Sequence, residues 1–100
     1  MFTYDVKKNG TDVDVTLTGR LDGAVAPQLH ERMVALQGQD IKNITFHVKD
    51  LEYISSAGLR VILFAKQKLG ADTRLYLKDV GEGVRSVLEV TGFDNFVEMI

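Results

Sequence analysis

The stretch Ile44-Thr45-Phe46-His47-Val48-Lys49-Asp50-Leu51-Glu52-Tyr53-Ile54-Ser55-Ser56-Ala57-Gly58-Leu59-Arg60-Val61-Ile62-Leu63 changes its periodicity half way along. Ile44, Phe46 and Val48 alternate with polar residues, the period of a strand with one buried face. Leu59 and Ile62 then fall at helical spacing and read as core, within a helix expected from about Ala57 to Leu69 and stopped by Gly70. Arg60 and Lys66 line the exposed face of that helix. Asp50 is expected to close the strand, since Asp favours turns. The joint between the two elements carries two adjacent hydroxyls, Ser55 and Ser56, at a helix start, where the first backbone N–H groups lack partners. A cap uses one hydroxyl. The small Ala57 and Gly58 that follow leave the turn open to an approaching protein.

Working outward, the same alternation recurs on both sides. Phe2, Tyr4 and Val6, then Val13, Val15 and Leu17, repeat with period 2 around Asn9-Gly10, which reads as an antiparallel hairpin turned on that dipeptide. After Gly19-Arg20-Leu21-Asp22-Gly23, the residues Ala26, Leu29, Met33 and Leu36 form a helical stripe, with Pro27 in the first turn and Gly38 placed to stop it. Downstream come a strand at Arg74 to Lys78, a helix from Glu82 to Thr91 ended by Gly92, and a short strand near Phe96 to Met99. Strands alternating with helices through short joints imply right-handed crossovers and parallel pairing. The fold class is α/β, with one mixed sheet opened by an N-terminal hairpin. An exposed final strand leaves an edge at which a second copy can pair weakly.

Length and composition bound the function. One hundred residues make a single domain spanning 1–100, with no room for a catalytic module beside a regulatory one. With 12 Lys and Arg against 14 Asp and Glu the net charge is −2, which removes the driving force for direct nucleic-acid binding. No cysteine is present, so disulfides, thiolate metal sites and cysteine nucleophiles are excluded and a cytoplasmic location is expected. The first residues alternate polar and apolar and contain no signal-peptide core. The densest apolar run, Val61 to Ala65, falls far short of the ~20 residues a membrane-spanning helix needs, so membrane insertion is not expected.

The search for catalytic chemistry ends without a site. His30-Glu31 begins a zinc motif that lacks its closing histidine, and His47 stands alone on a strand, so both read as ordinary surface or strand-face histidines and no metal or cofactor is assigned. Gly81-Glu82-Gly83 resembles the start of a dinucleotide fingerprint, yet Ser86 replaces the third glycine. Ser55 or Ser56 with His47 and Asp50 supplies the residue types of a triad without a nucleophile elbow or oxyanion arrangement. A non-enzymatic reading follows.

At the double-serine turn the sequence resembles the bacterial anti-sigma factor antagonists of the STAS domain family. The motifs that carry the resemblance are Leu17-Thr18-Gly19-Arg20-Leu21-Asp22, Asp50-Leu51-Glu52-Tyr53-Ile54, Ser55-Ser56-Ala57-Gly58-Leu59 and Thr91-Gly92-Phe93, together with the opening hairpin. The resemblance implies a switch in transcription regulation that, when unphosphorylated, binds an anti-sigma factor of the histidine-kinase-like ATPase fold. That partner is a serine kinase that phosphorylates the switch, and a serine phosphatase reverses the step. In much of the family the acceptor hydroxyl immediately precedes the glycine, a place taken here by Ala57. Ser56 is the first choice for the phosphorylated residue and Ser55 the second. Asp22 matches the family's acidic loop residue and also suits a turn ahead of a helix. The expected partner-binding set is Asp22, Ser55, Ser56, Ala57, Gly58 and Arg60. Arg60 is near enough to the serines to pair with a phosphate.

A phosphoryl group brings roughly −1.5 to −2 charges to the positive end of a helix, where the fold tolerates it, whereas a partner packed on the same turn would have to bury it. The alternative implied by Ala57 is an adaptor subunit of a transporter or larger assembly that is never phosphorylated. A small enzyme or nucleotide binder rests on fold analogy alone.

Overall fold

Gly10, at φ 64°, opens the turn between β1 (Phe2–Asn9) and β2 (Asp12–Leu21). The central turn residues are Gly10 and Thr11 rather than the expected Asn9-Gly10, because Asn9 is already paired with Asp12. Only the first central position takes positive φ here, and glycine occupies it without a Cβ penalty. The computed structural model describes residues 2–69 and 72–100. Gly70, expected to stop the second helix, lies outside the described residues.

After the hairpin the chain runs α1 (Ala26–Ala35), β3 (Asn43–Ile54), α2 (Ser56–Lys68), β4 (Arg74–Lys78), α3 (Glu82–Thr91), a single 3₁₀ turn (Phe93–Asn95) and β5 (Glu98–Met99). The sheet order is β1-β2-β3-β4-β5, with the first pair antiparallel and the others parallel. The expected mixed sheet is therefore present. Successive right-handed crossovers in one direction place all three helices over the same face. Burial agrees: Val13, Val15 and Leu17 of β2, Ile44, Phe46 and Val48 of β3 and Leu75 and Leu77 of β4 form one core with Leu29, Met33, Ile62 and Leu88 from the helices. The opposite face carries Asp14, Thr16, Thr45, His47 and Tyr76, none of them buried. No helix among the described residues is long and apolar enough to cross a membrane.

Three boundaries differ from expectation by more than one residue, each for a local reason. Asp50 does not close β3; the strand continues to Ile54. The register against β2 shifts between Thr16 and Thr18 and again between Gly19 and Arg20, with the surplus residues in β3. Such bulges break strict alternation, so Leu51 and Ile54 return to the core three residues apart while Glu52 and Tyr53 stay exposed. Helix α1 ends at Leu36 in a right-handed conformation, with the Leu36 N–H on the Met33 carbonyl and the Gln37 N–H on the Val34 carbonyl, before Gly38 is reached. β5 is shorter than Phe96 to Met99 because the 3₁₀ turn ends with the Phe96 N–H bonded to the Phe93 carbonyl. α3 ends at Gly92 as expected.

Candidate functional site

The double-serine turn sits where the bulged end of β3 meets α2. The Ser55 N–H donates to the Leu21 carbonyl at 2.9 Å, which ties the helix start to the end of β2. Ser55 is in an extended conformation (φ −90°, ψ 172°) and its hydroxyl oxygen accepts from the Gly58 N–H at 3.2 Å. This is an N-cap, so α2 begins at Ser56, one residue ahead of the expected Ala57. Ser56 is exposed, and its hydroxyl has no hydrogen-bond partner among the described residues. The two serines thus divide the labour: Ser55 holds the helix and Ser56 presents a free oxygen at its positive end.

Gly58 faces inward rather than outward. It is buried, and a Cβ built on it would lie 2.7 Å from Leu21 Cγ and 3.0 Å from Ile54 Cγ1. Its smallness lets α2 approach β2 and β3 closely. Leu59 and Ile62 are buried, as their spacing implies.

Asp22 is half-buried directly after Leu21, at the same end of the sheet. Its carboxylate accepts from the Ala24 N–H at 3.0 Å and the Val25 N–H at 3.3 Å, and its carbonyl accepts from Ala26 at 2.9 Å. It organises the loop into α1, the role its residue type suits.

Ala57 and Arg60 line a groove between α1 and α2, together with Gly23, Ala26, Pro27, His30, Val61 and Phe64. The groove is shallow and open to solvent, with a volume of about 420 Å³ and mainly apolar walls. The His30 and Phe64 rings meet across it with centroids 4.4 Å apart. His30 is therefore a wall of this groove and not an isolated surface histidine. The sequence reading missed this role and that of Phe64. The signal was present in the spacing, since Gly23, Ala26, Pro27 and His30, like Ala57, Arg60, Val61 and Phe64, recur at one-face helical intervals. What was invisible is that the two faces confront each other. Arg60 is exposed at the rim and makes no ion pair among the described residues.

The remaining candidates lie elsewhere. His47 Nε2 is 2.8 Å from Asp14 Oδ1 on the open face of the sheet, and Asp50 is exposed beyond the first bulge. No triad forms with either serine among the described hydrogen bonds. Gly81 caps α3 and shapes the turn that follows β4.

Comparison with known proteins places this geometry. The family model for the STAS domain matches residues 3–100. The chain is 31% identical over 101 residues to an anti-sigma-B factor antagonist of Bacillus subtilis, covering 95% of this chain and 87% of that protein. The solved anti-sigma factor antagonist of Mycobacterium paratuberculosis superposes with TM-score 0.88 at 22% identity, over 99% of this chain and 85% of that one. The antagonist SpoIIAA superposes in its unphosphorylated form with TM-score 0.78 at 19% identity, over 98% and 87% of the two chains. The phosphorylated form of the Bacillus protein gives 0.76 at 18%, over 98% and 91%. These structures share the chain's fold along nearly its whole length, and with the family model and the Bacillus subtilis relative they show that the chain belongs to the STAS domain family.

Proposed function

We infer that the chain is an anti-sigma factor antagonist whose hold on its partner is released by phosphorylation of Ser56. In the unmodified state the partner, an anti-sigma factor of the histidine-kinase-like ATPase fold, covers the turn and the groove between α1 and α2. As a serine kinase it transfers a phosphoryl group to the Ser56 hydroxyl, and a serine phosphatase removes it. The chain itself catalyses nothing, and the switch operates in the cytoplasm.

The observation that carries this reading is the division between the serines. Ser55 already spends its oxygen on the Gly58 N–H, whereas Ser56 is exposed and unbonded beside an apolar groove. A dianion at Ser56 is favoured by the helix terminus, yet any surface packed there must desolvate it. The Bacillus subtilis relative, an anti-sigma-B factor antagonist, and the solution of SpoIIAA in both phosphorylation states support the same direction. The test is incubation with ATP and a cognate kinase, followed by intact mass and site mapping. One added phosphate on Ser56, lost in Ser56→Ala, is expected. Ser56→Asp weakens partner binding at least tenfold while far-ultraviolet circular dichroism stays the same.

A second reading is favoured by Ala57, which is half-buried in the groove wall where much of the family has its acceptor hydroxyl. On that reading the same surface docks an adaptor onto a transporter or larger assembly and is never modified. Absence of added phosphate with every kinase partner, together with stable complex formation, selects it.

A further inference from the structure

The sheet has two edges of unequal length. β5 is Glu98–Met99, whereas β1 is Phe2–Asn9 and pairs only with β2. The final strand is an edge, as expected, but a two-residue one, and the longer open edge is the first strand.

The backbone phase of that edge follows from β2. The Thr11 carbonyl accepts from the Lys42 N–H at 2.8 Å, so odd-numbered residues from Thr11 into β2 turn their backbone groups toward β3. Even-numbered β2 residues consequently turn toward β1, where Asp12, Asp14, Thr16 and Thr18 oppose Asn9, Lys7, Asp5 and Thr3. Phe2, Tyr4, Val6 and Lys8 are left with N–H and C=O groups pointing away from the sheet. Their side chains lie on the helix-covered face, and Phe2, Tyr4 and Val6 are only half-buried. The row Leu77, Phe46, Val15, Val6 is continuous by register and simply ends there.

We propose that β1 pairs antiparallel with β1 of a second copy, about a two-fold axis through Val6, to give a continuous ten-stranded sheet in the dimer. Charge selects both the occupant and the register. With Val6 opposite Val6, Asp5 of each copy faces Lys7 of the other, on the open face of the sheet, where both are exposed. Tyr4 then lies opposite Lys8, and Tyr4, Val6 and Lys8 exchange their free backbone groups in hydrogen-bonded pairs. Neighbouring registers of the same phase fail: centring on Asp5 or on Lys7 puts like charges opposite each other, and centring on Tyr4 leaves Val6 as the last paired residue. Charged side chains commonly guard a strand edge against foreign strands. Here the same charges are self-complementary in one register.

The chain contains no cysteine, so single substitutions report the register cleanly. Cα atoms of a hydrogen-bonded antiparallel pair lie ~5.5 Å apart, within disulfide reach. Val6→Cys is expected to form a disulfide dimer in a glutathione buffer, while Asn9→Cys does not. Sedimentation of the unmodified chain should show a reversible dimer with Kd on the order of 10⁻⁴ M, as suits a small interface. Val6→Pro removes an outward-facing donor without touching the β1–β2 ladder and should leave a folded monomer with unchanged circular dichroism. Asp5→Lys should weaken the dimer at least tenfold, and Asp5→Lys with Lys7→Asp should restore it. A chain that stays monomeric at ~1 mM overturns the proposal, whether or not a foreign strand occupies the edge, as does a dimer that survives Val6→Pro or cross-links at Asn9 instead of Val6.

Discussion

Ser55 and Ser56 differ by one position and have separable consequences. Removing the Ser55 hydroxyl deletes a helix cap, which costs about 1 kcal/mol, so Ser55→Ala should lower Tm by roughly 4–8 °C while leaving phosphorylation at Ser56 intact. Thermal scans alongside intact mass check both halves. Ala57→Ser should create a second acceptor, detected by site mapping, because it returns a hydroxyl to the position much of the family uses. Gly58→Ala puts a methyl 2.7 Å from Leu21 Cγ. Overpacking of that kind costs about 1–3 kcal/mol against the ~1 kcal/mol gained from alanine's helix propensity. A net loss in urea denaturation is expected, relieved when Leu21→Val is added. The residue types at this turn were legible in the sequence: a cap serine, a second hydroxyl, small neighbours. Which serine caps was not, because that depends on the extended backbone of Ser55 and on the Leu21 carbonyl that fixes it.

The elements were legible where a single period holds. The hairpin, α1, β4 and α3 follow from apolar spacing, since each buries one face against one core. β3 was legible only to Val48, because two bulges replace alternation with a three-residue interval and carry the strand past Asp50. Those bulges bring Tyr53 beside Arg20, whose guanidinium sits 4.4 Å from the ring centroid. The groove between α1 and α2 was not legible at all, since a helix pattern marks a face without naming what it meets. Its apolar walls make a direct prediction about partner binding. Filling it with Ala57→Trp should weaken binding of the anti-sigma factor at least tenfold in calorimetry, with the fold intact by circular dichroism, because the site loses the space an apolar anchor needs.

At the scale of the whole molecule the sheet is lopsided: one face is the core and the other is polar and open. Substitutions should therefore split by face. Phe46 is fully buried, and Phe46→Ala should cost about 3–5 kcal/mol, a large part of the 5–15 kcal/mol typical of a domain's total stability. Asp14→Asn removes the carboxylate charge beside His47 on the open face, where both side chains are about a third or more exposed, and should cost less than about 1 kcal/mol. Urea titration of the two variants measures the contrast. The one-sided core was implied by period 2 on three strands, but the order of the strands and the long free edge at β1 required the pairing itself.

The bond from Ser55 to the Leu21 carbonyl, with Gly58 pressed against Leu21, fastens the start of α2 to the buried end of β2. A signal written there has no hinge through which to travel. It is read as surface chemistry by whichever protein lands, and erasing it leaves no posture to undo. On the proposed function, the pace of such a device would be set by the enzymes that write and erase the mark, and by how quickly its visitors depart.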